Sequence, residues 1–155
     1  MVTHIKNKKP NIVDISKKKI THRYAKASGF VKFAKNSFTK IKSLSSKKGE
    51  IENIAITAGI LGGKKTSELI PLCHNINLDK IDLKIKTLDK LSAIKITASV
   101  KAKEKTGVEM EALTSVAIAC LTIYDMCKSI DKRIIISDIK LEEKKGGKSN
   151  FLNQK

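Results

Sequence analysis

Two charged pairs bracket one apolar stretch of this chain, and both consist of residue types suited to acid–base chemistry. In KTGVEMEALTSVAIACLTIYDMCK, residues 105–128, Asp125 and Lys128 stand three apart near the end, while Glu109 and Glu111 stand near the start. Three residues is close to one helical turn, so Asp125 and Lys128 share a face and can form an ion pair or a proton-transfer couple. The aspartate is the more informative of the two. At a helix C-terminus the macrodipole favours a lysine and disfavours a carboxylate, which is costly there unless paired or useful.

The residues between the pairs position them. No charged residue occurs in 112–124, a run well short of the roughly 20 apolar residues needed to cross a bilayer, which predicts a buried core helix. Thr106 followed by Glu109 fits a capping box, in which each side chain satisfies a free backbone N–H, so the helix is predicted to begin near Gly107. At about 1.5 Å per residue, Glu109 and Asp125 lie roughly 24 Å apart. Both cannot act on one small molecule within a single subunit. If both ends are catalytic, two chains must build the site.

The rest of the chain supplies a sheet for that helix. THRYAKASGFVKF, 21–33, alternates small or apolar residues with charged ones and reads as a half-buried strand, with Gly29 as a bulge. After a loop rich in lysine and serine, Ile51, Ile54, Ala55, Ala58 and Leu61 follow helical spacing, interrupted at Gly62 and Gly63 and closed by Pro71. Ile81, Leu83 and Ile85, then Ile94, Ile96, Ala98 and Val100, alternate with polar residues around a turn at Asp89 and Lys90, which predicts a hairpin. RIIISDIKL, 133–141, is the last strand. The order β-α-β-β-α-β predicts an α+β, ferredoxin-like fold, an antiparallel sheet with helices packed on one face. Many functions share that arrangement, so the fold alone selects none.

With 155 residues and 41% hydrophobic content, the chain suits one domain, 1–155, flanked by a flexible basic arm at 1–12 and a flexible tail at 149–155. A formal charge of +17 attracts polyanions: nucleic acid, an anionic membrane or a nucleotide triphosphate. Only Arg23 and Arg133 are arginines, and the lysines are spread along the chain and not gathered into one stripe, which argues against a nucleic-acid reader built on Arg forks. Cys73, Cys120 and Cys127 are odd in number, two of them in the core helix, and residues 1–11 lack an apolar signal region. Both features predict the cytoplasm.

Other motifs carry weaker chemistry. LIPLCH, 69–74, sets Cys73 and His74 beside a loop where a histidine can bind phosphate or shuttle a proton. No CxxC or HxxxH spacing supports a metal site. GGKKT and KKGGKS invite a phosphate-loop reading, but Glu142 stands where a Walker motif needs glycine, which favours solvated loops whose backbone N–H groups and lysines can still hold phosphate oxygens. GFVKF, 29–33, copies the tail of an RNA-recognition strand but falls on the first strand instead of the third, so Phe30 and Phe33 read as packing residues. Cys120 and Cys127 read as small buried groups.

Taken together, LIPLCH, the 105–128 string and KKGGKS closely resemble the cyclic pyranopterin monophosphate synthase family, the molybdenum cofactor biosynthesis protein C. The similarity runs from about 13 to 149 and includes VDIS at 13–16, THRYAKA with Arg23, and KKGEI around Lys48. The resemblance implies a lyase that converts (8S)-3′,8-cyclo-7,8-dihydroguanosine 5′-triphosphate to cyclic pyranopterin monophosphate and diphosphate. It implies Asp125 as general acid/base, with Lys128 and Lys48 as catalytic lysines. Leu72, Cys73, His74, Met110 and Glu111 then line the substrate pocket, and Glu109, Arg23, Lys64 and Lys144 contact base or triphosphate. It further implies a homohexamer, a trimer of dimers, with active sites between subunits, and no cofactor, metal, nucleic acid or membrane as partner. Where the family usually carries Arg-Ile-Ala-Gly-Ile, this chain has Ile56 in the arginine's place. Its small pair before the lysine is Gly62 and Gly63, and Asn75 replaces the proline after the histidine.

Overall fold

A computed structural model of the chain describes residues 4–6, 8–43 and 45–153, with side chains at all of these but 6 and 45–48. In chain order the elements are β1 (Ile5–Lys6), β2 (Lys9–Pro10), β3 (Thr21–Lys32), α1 (Lys35–Ser43), α2 (Ser45–Lys64), α3 (Thr66–Leu69), β4 (Lys80–Leu88), β5 (Ala93–Glu104), α4 (Glu109–Cys127), β6 (Ile135–Lys145) and β7 (Phe151–Leu152). The first two strands pair with each other, and the other five form one sheet in the order β4-β5-β3-β6-β7. All pairings are antiparallel. Without the terminal additions this is the predicted ferredoxin-like βαββαβ arrangement.

Alternation decides which face of the sheet is covered. Ala25, Ala27 and Val31 of β3, and Ile94, Ile96, Ala98 and Val100 of β5, point inward and are fully or almost fully buried. The buried side chains of α4, among them Ala112, Val116, Ala119, Cys120, Ile123 and Cys127, pack on them in one cluster. Those positions recur at helical spacing, so the stripe follows from sequence. Gly29 lets helix and sheet approach: a Cβ there would lie 2.8 Å from Cγ1 of Val116. The β3–β6 register shifts between Ser28 and Phe30, the irregularity predicted at Gly29.

The second contact of α4 is with α2, and glycines set its closeness and direction. A Cβ on Gly63 would lie 2.3 Å from Oγ of Ser115, and one on Gly59 would lie 2.8 Å from the Ser115 carbonyl and 3.2 Å from Ala119. Later residues of α2 therefore meet earlier residues of α4, and the two helices run antiparallel. The sequence predicts an interruption at Gly62 and Gly63, but α2 runs through both to Lys64. Their missing side chains are the reason it can continue against α4, an override of helix propensity by packing.

Other boundaries also move. The loop predicted after β3 contains α1, anchored by buried Phe38 and Ile41, with the rings of Phe33 and Phe38 5.8 Å apart. GGKKT accordingly lies on helix, not in a solvated loop. The capping box does not form: Val108 occupies the cap position of α4 without a side-chain cap bond, so Thr106 and Glu109 lie out of register for it. Phe33 is buried as predicted, whereas Phe30 lies on the outer face between Lys32 and Lys95. Short pairings stand where the arm and tail are predicted, β1 with β2 and β7 with Glu143 and Lys144.

Candidate active site

The start of α4 forms one wall of a pocket. Val108, fully buried, fixes the helix start. One turn on, Glu111 points inward, only 3% exposed, and its Oε2 has no hydrogen-bond partner. Loss of water raises its pKa from 4.5 to about 7, opposed by a backbone N–H and reinforced by the charge of Glu109. The residues after α3 form the facing wall. Burial, and then the Glu111 carboxylate, push the Cys73 thiol up, which keeps it in the protonated, unreactive form. His74 Nε2 lies 2.7 Å from the Val13 carbonyl; since a carbonyl only accepts, Nε2 carries the proton and Nδ1 is left for another partner. Leu72, Cys73, His74, Met110, Glu111 and Lys144 border a cavity of about 470 Å³.

A second cavity, about 510 Å³, adjoins the first through Lys18, Thr106, Gly107, Glu109 and Lys144. Its far wall is cationic, with Lys17, Lys19, Arg23, Lys105 and Lys148. Arg23 is held in place by donating from Nε to the Glu104 carbonyl at 3.0 Å and from Nη2 to the Lys105 carbonyl at 2.9 Å. The Lys144 ammonium lies 3.2 Å from Glu109 Oε1, between the two cavities. KKGGKS shapes the rim: Gly146 has φ +89° and passes so close to the His22 carbonyl that a Cβ would lie 1.7 Å from it. Only glycine serves there. The lysines that look scattered in sequence are therefore partly gathered into one patch, because β3, β6 and the β5–α4 loop meet at this edge. Neither Lys17, Lys19, Lys105, Lys145 nor Lys148 is singled out by the sequence reading. The KKK run at 17–19, placed just before a strand that pairs with the KKGGKS strand, is the signal that could have found them.

Lys64, at the end of α2, is exposed and lines a neighbouring recess of about 370 Å³ that shares Ile76 with the His74 cavity. The remaining predicted residues lie at the other end of α4. The Lys128 ammonium donates to Asp125 Oδ1 at 2.6 Å, with the two side chains 62% and 70% exposed. Hydrogen bonding to Asp125, and then its charge, raise the Lys128 pKa. Lys48 lies in the first turn of α2, and its side chain lies outside the described residues. The antiparallel pairing of α2 with α4 carries that turn toward the Asp125 end. The chain thus divides the predicted residues in two, with Asp125, Lys128 and Lys48 at one end of α4 and the other nine at or beside the opposite end.

Among the described residues no group of three or more His, Cys, Asp or Glu is placed to hold a metal ion. Helix α4 is long and apolar enough to cross a membrane by length and composition, but it packs between the sheet and α2 as the core helix. Burial pushes the Cys120 thiol up to about 12 and raises that of Cys127, consistent with packing roles.

The MoaC family profile matches residues 12–147. A cyclic pyranopterin monophosphate synthase of Campylobacter jejuni subsp. doylei is 50% identical over 149 residues, covering 96% of this chain and 95% of that protein. One from Helicobacter pylori is 48% identical over 156 residues, covering 100% of this chain and 99% of the relative. With a matched core that spans both ends of α4 and relatives aligned along nearly their whole length, the chain belongs to the MoaC family, which includes the cyclic pyranopterin monophosphate synthases.

Proposed function

We propose that this chain converts (8S)-3′,8-cyclo-7,8-dihydroguanosine 5′-triphosphate to cyclic pyranopterin monophosphate and diphosphate, an early step of molybdenum cofactor synthesis, in the cytoplasm. The observation that carries the site assignment is the pair of adjoining cavities at the start of α4, one lined by carboxylates and His74, the other by lysines and Arg23. A purine-derived ring offers N–H donors to the oxygens of Glu109 and Glu111 and to Nδ1 of His74, while the cationic wall suits a triphosphate. Leu72, Cys73 and Met110 supply the apolar sides, and Lys64 extends the cationic wall.

Asp125, Lys128 and Lys48 do the chemistry. Closing the cyclic phosphate requires a sugar hydroxyl to attack the α-phosphorus while diphosphate leaves, and lysine ammonium groups neutralise the charge that develops. Rearranging the ring requires protons moved on and off nitrogen, which the hydrogen-bonded Asp125–Lys128 couple can exchange. Because these residues lie roughly 24 Å from Glu109, the substrate bound by one chain meets the catalytic end of another. We assign that pairing to a homohexamer, a trimer of dimers. Incubation of the purified chain with the cyclised nucleotide should release diphosphate and pyranopterin together. A folded hexamer that yields neither contradicts the assignment.

A further inference from the structure

We propose that Asp131 is a positioning residue for the catalytic end of α4, a buried carboxylate that ties this end to the segment carrying Lys48. The inference rests on the assignment of the chemistry to Asp125, Lys128 and Lys48. Asp131 stands three residues beyond Lys128 and is 3% exposed. Its own N–H donates to the Cys127 carbonyl at 3.1 Å, so it closes the last turn after α4. From there its carboxylate reaches two other elements. Oδ2 accepts the Ala34 N–H at 2.7 Å, and Oδ1 accepts the Arg133 N–H at 2.9 Å, two residues before β6. The nearby Ser37 hydroxyl also favours the charged carboxylate.

Ala34 is where α1 starts, since its carbonyl accepts the Phe38 N–H at 2.9 Å. The carboxylate therefore occupies the N-terminus of α1, where free N–H groups and the helix dipole favour an anion. α1 ends at Ser43 and α2 begins at Ser45, with Lys48 in its first turn. One side chain thus bonds the end of α4 to the start of the helical segment that delivers Lys48. The Arg133 side chain adds little, being 79% exposed with its Nε 3.9 Å from Oδ1. The bonds from backbone N–H groups, that of Arg133 foremost, hold the Asp131 carboxyl below its ordinary range despite burial. None of the residues bonded to Asp131 lines either cavity, so its loss misplaces the catalytic groups and leaves substrate binding intact.

The test is steady-state turnover of the cyclised nucleotide by the full chain carrying Asp131→Ala or Asp131→Asn. The alanine variant should lose about tenfold or more in kcat with KM within about twofold, the scale of a small misplacement of catalytic groups. The asparagine variant keeps one side-chain oxygen as acceptor and should fall in between. Ile96→Val, in the sheet centre, serves as a stability control and should lower Tm while keeping kcat. Unchanged kcat in both Asp131 variants, a rise in KM without a fall in kcat, or an equal kcat loss in Ile96→Val at matched Tm would each overturn the proposal. If the alanine variant does not fold, the asparagine variant carries the test under the same criteria. If the wild-type chain itself turns nothing over, the assigned reaction fails, and amide hydrogen exchange decides the tie: Asp131→Asn should speed exchange across 35–50 but not at 109–113. No change there would overturn it.

Discussion

The two ends of α4 differ in how finished they are. At the start, several groups are already placed: Glu111 is buried against the loop carrying Cys73 and His74, Arg23 is fixed to two carbonyls, and Lys144 is paired with Glu109. At the end, Asp125 and Lys128 hold each other and, among the described side chains, form no other ion pair, with most of both open. Exposed ion pairs of this kind contribute little to stability. The comparison teaches that one chain builds a pocket but leaves its candidate catalytic couple exposed, an arrangement that suits the proposed assembly in which a second chain faces it.

The sharpest way to separate the ends is to silence one. Asp125→Asn removes a proton carrier from an exposed position, so the fold and melting temperature should hold while kcat falls by roughly 10²- to 10⁴-fold. A variant with near-normal turnover would remove Asp125 from the mechanism. The opposite end is probed by Glu111→Gln. The folded-state pKa of Glu111, about 7, lies above its ordinary 4.5, so the fold binds more protons than the unfolded chain between those values. Its stabilising contribution is whole below about pH 4.5, falls as pH rises through 7, and changes no further above that. Glutamine mimics the neutral acid. The variant should gain stability relative to wild type between pH 5 and 8, by on the order of 2–3 kcal/mol, measured by denaturant melts. A wild-type-to-variant difference that stays constant with pH would mean Glu111 is not neutral in the fold.

What couples the ends is the α2–α4 contact, and Gly59→Ala tests it. The added methyl would lie 2.5 Å from Leu83 and 2.8 Å from the Ser115 carbonyl, which forces the helices apart at a cost of about 1–3 kcal/mol. Turnover should drop with it, since the first turn of α2 moves relative to Asp125. Stability equal to wild type in chemical denaturation would show that this contact has slack.

Much of this was legible in the sequence, and what was not has identifiable causes. β3 and β5 announced themselves because each has one buried face, and α4 because its apolar positions recur at helical spacing. α1 was hidden because KNSFTKIKS offers only Phe38 and Ile41 for burial. The glycines of α2 read as a break, since a residue without a side chain looks alike whether it ends a helix or admits a neighbour. Glu109 and Thr106 fit a cap by spacing, but Val108 is buried and sets the helix start two residues later than Gly107. Glu111 and His74 stood out by residue type and place and Arg23 through family resemblance, and the structure brings them to adjoining cavities. Of the lysine wall the sequence named Lys144; Lys17, Lys18, Lys19, Lys105, Lys145 and Lys148 were missed because they join it only when β3 pairs with β6. Asp131 carried no signal at all, because its partners are backbone N–H groups.

The central claim is that a working site takes the start of α4 from one chain and the end from another. Asp125→Asn and Arg23→Ala each leave one end intact, so each alone should be inactive. Unfolded together and reassembled, they should recover about a quarter of wild-type activity, the share of interfaces at which two intact ends meet in a closed symmetric assembly. Mixed assemblies that form normally and stay as inactive as either parent would contradict the account.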